Sequence, residues 1–353
     1  MAGLHFPVYA LAVLVSSTPA LAGSGANVAD NFARPALQDF ESAAIKLTLA
    51  TQGLCAVPGA ATLAAARSLF VETAGAFGRV SVLRFGPLAA ENRFEKLFFW
   101  PDPRGIALKQ VQAALAQKDE TLADVAVLAG KSVALQGLPA LEFALFGSGS
   151  HELVSAPADF RCRFAAAVAA NIAFVAGEAV AGWRVDTPFA ASFTDPKPDG
   201  EPYRSAAEVD GEIVKALATV LQFIRAAELQ PPLGDDSAGA NGRLAPLWRS
   251  DATFGLVTAQ IAGARDLLLA AGYAETLPAD QNWLPGQVRF SLDAARRGLE
   301  QIASPAEKAF ADADDRGRVE FAEVALDGAG HDISEKLSAA LGLTMGFNAL
   351  DGD

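Results

Sequence analysis

Apolar residues recur every three or four positions along nearly the whole chain, and that period admits helices while excluding a β-rich fold. Phe160, Phe164, Val168, Ile172, Val175, Ala179 and Trp183 form one stripe; Val209, Ile213, Leu217, Val220 and Ile224 form a second. Two more run through Phe254, Val257, Ile261, Ala264 and Leu268, and through Val288, Leu292, Ala295, Leu299 and Ile302. The near-heptad spacing of the last suits antiparallel bundles. Start signals fall where these stripes need them. Ser205 with Glu208, and Ser304 with Glu307, have capping-box spacing, the second with Pro305 at the first helical position. The expected fold is all-α.

A chain of 353 residues is long enough for about two domains. The segment TDPKPDGEPY, residues 194–203, combines Pro, Gly and charge as a linker does. It divides the chain into an N-terminal helical bundle, 23–200, and a C-terminal one, 201–353, an arrangement compatible with an ancient duplication. Ahead of both lies a targeting segment. Residues 1–22 carry an apolar run from Phe6 to Val15 and a small-residue cleavage pattern at Ala20, Leu21 and Ala22, which reads as a secretory signal peptide. No other stretch is expected to span a bilayer. Export places Cys55 and Cys162, the only two cysteines, in an oxidising compartment, where they are expected to form one disulfide.

Charge narrows the partners. Lys plus Arg number 28 against 41 Asp plus Glu, and the net charge of −13 repels phosphate backbones, so nucleic acid is not expected as a partner. Motifs narrow the chemistry. His151 and Glu152 begin a zincin pattern, but Ser155 stands where the second imidazole is needed. Asp312, Asp314, Glu320 and Glu323 follow calcium-loop spacing around Gly317, yet Arg316 occupies a ligand position, and a solvated acidic loop is the expected reading. His331 and Glu335, one helical turn apart beside Asp332, make an incomplete metal site.

Three blocks mix polar and aromatic residues without periodicity. The first runs from Arg84 through Arg93 to Trp100, Asp102 and Arg104; the second is Gly137 to Gly147, with Glu142 and Phe146; the third is Leu341 to Asp353, with Asp351. Glu142 stands in an otherwise apolar run, so if buried it needs a partner or a raised pKa. Arg84, Arg93 and Arg104 are the partners this reading offers, in a binding site or in an ion pair that locks two helices.

The strings RFGPL, FWPDPRG, GLPALEFALFG and GFNALDGD in these blocks, with the helical layout around them, resemble the imelysin-like family of exported bacterial proteins over essentially the whole mature chain. The resemblance implies two helical bundles, a periplasmic location and a link to iron uptake. It also implies a metallopeptidase-type motif, G-x-H-x-x-E. Here Gly137 and Glu142 are present, but Pro139 replaces the histidine and offers a metal no lone pair. The expectation is therefore a periplasmic, non-catalytic binding protein for iron or an iron-related ligand, working with envelope iron-uptake proteins. Glu142 is its expected central polar group, Trp100 and Phe146 are walls, and Asp102, Arg104 and Arg84 are orienting charges. Glu142, Asp102 and Asp351 are the candidate iron ligands. The alternatives are a metallopeptidase in which His151 or His331 supplies the missing imidazole, and an envelope scaffold or partner-binding protein.

Overall fold

The computed structural model describes residues 23–155 and 157–343; residues 1–22, where the signal peptide is expected, and most of the third block, Asp351 included, lie outside them. The described residues are helical, with no β-strand among them. The first long helix, α1 (24–56), carries a π-turn at Ala29–Ala33. It is followed by α2 (Ala60–Val80), α3 (Ile106–Gln117), α4 (Gly137–Phe146) and α5 (Phe160–Gly182). After the 194–203 segment come α6 (206–233), α7 (Thr253–Ala271), α8 (Leu284–Glu300) and α9 (313–340), with π-turns at Ile224–Leu229 and Asp332–Leu337.

The predicted stripes are the buried faces. All seven stripe residues of α5, from Phe160 to Trp183, are buried, because their spacing places them on one side of the helix. α5 packs along α1, which also packs on α2; α8 packs on α7 and α9, and α6 lies against α7 and α9. α2 crosses α7, and one contiguous apolar core runs through both halves of the chain. That crossing is close. A Cβ on Gly263 would lie 2.0 Å from the Arg79 carbonyl oxygen, so only glycine lets the two backbones approach this far.

By length and composition alone, α5 and the 253–276 stretch are apolar enough to cross a membrane. At least half of each most apolar window is buried against other helices, as in core helices. The capping box at Ser205 forms in part: Ser205 Oγ accepts from Glu208 N–H, while the Glu208 carboxylate accepts from Arg204 N–H. The box at Ser304 does not form. Helix Ala306–Ala309 starts after Pro305 without a side-chain cap, because Glu307 pairs with Arg243 and the Ser304 N–H is taken by Asp315.

The disulfide is present. Cys55 at the end of α1 bonds Cys162 at the start of α5, with Cα atoms 5.5 Å apart and a sequence separation of 107.

Candidate functional site

The second block folds as α4, and several devices fix its position. Gly137 has a positive φ of 75° and lies under the Leu97 carbonyl, where a Cβ would meet oxygen at 2.3 Å. Glycine is required there for conformation and for space. Just before it, the buried Gln136 donates to Lys131 O and accepts from Asn171 of α5. At the other end, Arg161 of α5 donates to the carbonyls of Phe143, Ala144 and Ser148, and Arg67 of α2 donates to that of Leu145. Two guanidiniums thus satisfy the carbonyls that a helix C-terminus leaves open and complement its negative dipole end.

Glu142 projects from this clamped helix and is 3% exposed. Its Oε1 accepts from both the backbone N–H and the hydroxyl of Ser250, each at 2.9 Å. Its Oε2 lies 3.8 Å from the Arg249 guanidinium. Burial pushes the Glu142 carboxyl above its usual range, opposed by the Ser250 bonds and the Arg249 charge. The turn that supplies these partners is itself tightly tied. Leu247 and Asp251 both adopt positive φ; Ala252 N–H donates to Leu247 O, Thr253 Oγ1 to Pro246 O, and Ala306 N–H to the Asp251 carboxylate. Such backbone persists only where surrounding bonds enforce it.

Glu142 and Arg249 open onto a cavity of about 500 Å³. Phe99, Trp100, Phe143 and Trp248 supply aromatic walls, Pro139 lies one helical turn from Glu142 on the same lining, and Arg243 joins Arg249 there. Both guanidiniums sit over the Trp248 ring, Arg249 at 4.6 Å and Arg243 at 5.4 Å from its centroid. The Trp100 indole N–H donates to Ala227 O, which fixes that wall.

The other candidates from the sequence divide. Asp102 lines the cavity, but its two oxygens accept from the N–H groups of Ile106 and Ala107 and so cap α3. Arg104 is exposed and is not part of the lining. Phe146 packs on Phe70 and under Arg67, facing a separate groove that His151 also lines. Arg84 lies between the rings of Phe94 and Phe223, at 4.0 and 4.4 Å, and Arg93 pairs with Glu178. Glu142 is therefore partnered by Arg249 and Ser250. Those two, with Trp248 and Arg243, escaped sequence reading because they lie about a hundred positions downstream. Their signal was visible: Arg243 to Asp251 is a further aperiodic mixture of charge and aromatic between two striped helices.

A family model described as imelysin matches residues 33–329. The chain belongs to the imelysin family. Two solved structures share its fold. An imelysin-like protein from Psychrobacter arcticum 273-4 superposes with a TM-score of 0.75 at 19% identity, covering 92% of this chain and 96% of that one. A putative iron-regulated protein A precursor from Parabacteroides distasonis ATCC 8503 superposes with a TM-score of 0.65 at 13% identity, covering 88% and 93%. No curated protein matches the chain.

In this imelysin-family member the described donor set does not fit a resident metal. No group of three or more His, Cys, Asp or Glu side chains converges among the described residues. Glu142 Oε1 is occupied by Ser250, both Asp102 oxygens cap a helix, and neither His151 nor His331 lines the cavity. His331 is exposed, with Nδ1 3.4 Å from Glu335. In the calcium-like stretch, Asp312 caps α9, and Arg316 pairs with Glu320 and donates to Leu233 O and Phe310 O, so a cation already fills the middle of the loop.

Proposed function

We propose that this chain is an exported, non-catalytic binding protein that takes up a ligand of bacterial iron uptake in the cavity around Glu142. The cavity itself carries the reading. An apolar concavity of several hundred Å³ with a few convergent polar groups is the usual composition of a small-molecule site, and a cavity of this kind favours binding over a purely architectural role. The non-catalytic reading is supported by Pro139, which brings no base or ligand to the motif, and by the two histidines facing other surfaces. Export to the periplasm is supported by the signal pattern of residues 1–22 and by the disulfide, which suits an oxidising compartment. The iron link is supported by the description of the Parabacteroides structure as a putative iron-regulated precursor. Envelope iron-uptake proteins are the partners this reading implies. We read 23–200 and 201–353 as two bundles related by duplication, with the cavity drawing residues from each.

Direct ligation of iron by Glu142 and Asp102, with Asp351, is the second reading, and it requires Asp102 to leave its cap. Calorimetric titration of the oxidised mature protein with Fe(III)-citrate, Fe(II), Zn(II) and Ca(II) separates the two. The cavity reading predicts saturable Fe(III)-citrate binding that Arg249→Gln weakens by about tenfold or more, the loss expected for a charge-assisted pair. Saturable binding of bare Fe(II) that Glu142→Gln abolishes would establish direct ligation instead. No heat from any of them would contradict both.

A further inference from the structure

We infer that the cavity takes a flat aromatic or conjugated organic anion, with Arg249 as its anion-binding residue, Trp248 as part of its stacking wall and Glu142 as a positioning residue. The inference rests on the reading of this cavity as a binding site, and it names the class of ligand.

Arg249 is the basis. Its guanidinium is oriented by two rings, 4.6 Å from the Trp248 centroid and 5.4 Å from that of Phe143. Its carboxylate contact is the long one to Glu142 Oε2, at 3.8 Å. Arg84 has a buried, unpartnered Nη1 but lies against Phe94 and Phe223 and does not line the cavity, and three further guanidiniums are better occupied than Arg249. Arg161 donates to three carbonyls, Arg243 pairs with Glu307 at 2.5 Å, and Arg93 pairs with Glu178 and Glu91. Arg249 thus presents a planar fork of donors at a cavity wall, the geometry that a carboxylate matches with two parallel bonds.

Glu142 explains why the fork is held. Its better-bonded oxygen grips Ser250, the residue next to Arg249, through the backbone and the hydroxyl together. A carboxylate used in this way anchors the turn on the clamped helix α4 and sets the position of the guanidinium.

The remaining wall selects for rings and against hydroxyl-rich or cationic ligands. The carboxylates on the lining are Glu142 and Asp102, and both are engaged, Asp102 with two helix N–H groups. A sugar or an amine would find no free side-chain carboxylate there, and burying its donors unpaired is costly. Trp100 has spent its N–H on Ala227 O, so what it offers a ligand is ring surface. Phe99, Phe143, Leu108 and Val111 extend that apolar wall. A volume near 500 Å³ holds a molecule of two or three fused or linked rings.

The test is calorimetry on the oxidised mature protein at neutral pH with three matched probes: 2-naphthoate, its neutral twin 2-naphthylmethanol, and its saturated twin decahydro-2-naphthoate. The expected result is saturable 2-naphthoate binding, with each twin weaker by roughly tenfold or more. Arg249→Gln removes that preference over the neutral twin, and Arg249→Lys, which keeps the charge without the fork, restores part of it. Glu142→Gln, which still accepts from Ser250, keeps 2-naphthoate affinity within about threefold of the wild type, whereas Glu142→Ala loses it, as a positioning role requires. Circular dichroism confirms that each variant is folded. Equal affinity for all three probes, or 2-naphthoate binding indifferent to Arg249→Gln in a folded variant, overturns the inference. Binding of Fe(III)-citrate but of none of the three probes overturns it while leaving the binding function intact.

Discussion

Buried carboxylates set much of the residue-scale behaviour of this protein, and two of them differ in how well they are paired. Glu142 has burial on one side and, opposing it, two bonds from Ser250, the Arg249 charge and the Arg249 backbone N–H. Glu228, in the α6 π-turn beside the Ala227 carbonyl that holds Trp100, has 0% exposure and accepts from Gln260 at 3.0 Å, with its second oxygen unpartnered. Burial pushes its carboxyl up to about 8, opposed by Gln260 and by Arg84, which Glu95 also faces. The folded state therefore holds this proton more tightly than the unfolded chain. Its stabilising contribution is complete below the ordinary carboxyl value of 4.5 and is lost as pH rises toward and through about 8. Glu228→Gln should match the wild type within about 1 kcal/mol at pH 5 and exceed it by about 4 kcal/mol at pH 9, measured by urea unfolding at both. A constant difference between the two pH values would mean that Glu228 is ionised throughout. At this scale Glu142 was legible, because a carboxylate in the apolar run of GLPALEFALFG must be accommodated. Its partner was not, since Ser250 and Arg249 reach it only through tertiary folding.

At the scale of elements, α4 matters most, because it carries Glu142 and is buried on nearly every side. Its C-terminus relies on Arg161, which is almost fully buried and donates to three carbonyls. Arg161→Met keeps the apolar stem and leaves those carbonyls open, so thermal or urea unfolding should show a loss of about 3 kcal/mol. The α2–α7 crossing makes a second prediction. Gly263→Ala places a methyl group against the Arg79 carbonyl and should cost about 2–3 kcal/mol, whereas Gly255→Ala on the same helix, with open space at that point, should be neutral or slightly stabilising. Helices of this kind were readable, since stripes such as Phe160 to Trp183 carry their own period. What periodicity could not show was which helix meets which, or that Glu307 prefers Arg243 to a capping role, because both depend on residues far apart in sequence.

For the molecule as a whole, one core joins the helices of both halves, and the cavity is assembled from segments at 99–111, 139–143, 227–231 and 243–249. The disulfide closes a loop of 107 positions between α1 and α5, and chain-entropy reasoning assigns such a loop about 4–5 kcal/mol. The Cys55→Ser, Cys162→Ser double variant should lose a large part of that in urea unfolding, and dithiothreitol should reproduce the loss only in the wild type. The composition of the cavity was half legible. The block containing Trp100 and Asp102 stood out in the sequence, but Phe146 and Arg104 shared that prominence without reaching the cavity, because adjacency in sequence does not determine which way a side chain faces. The central claim is that ligands enter at Glu142 and Arg249. Hydrogen–deuterium exchange of the oxidised mature protein with and without saturating Fe(III)-citrate tests it most directly. Added protection concentrated in 99–107, 137–146 and 243–250 is the predicted result; protection confined to the groove at 60–67 and 146–154, or absent everywhere, would contradict it.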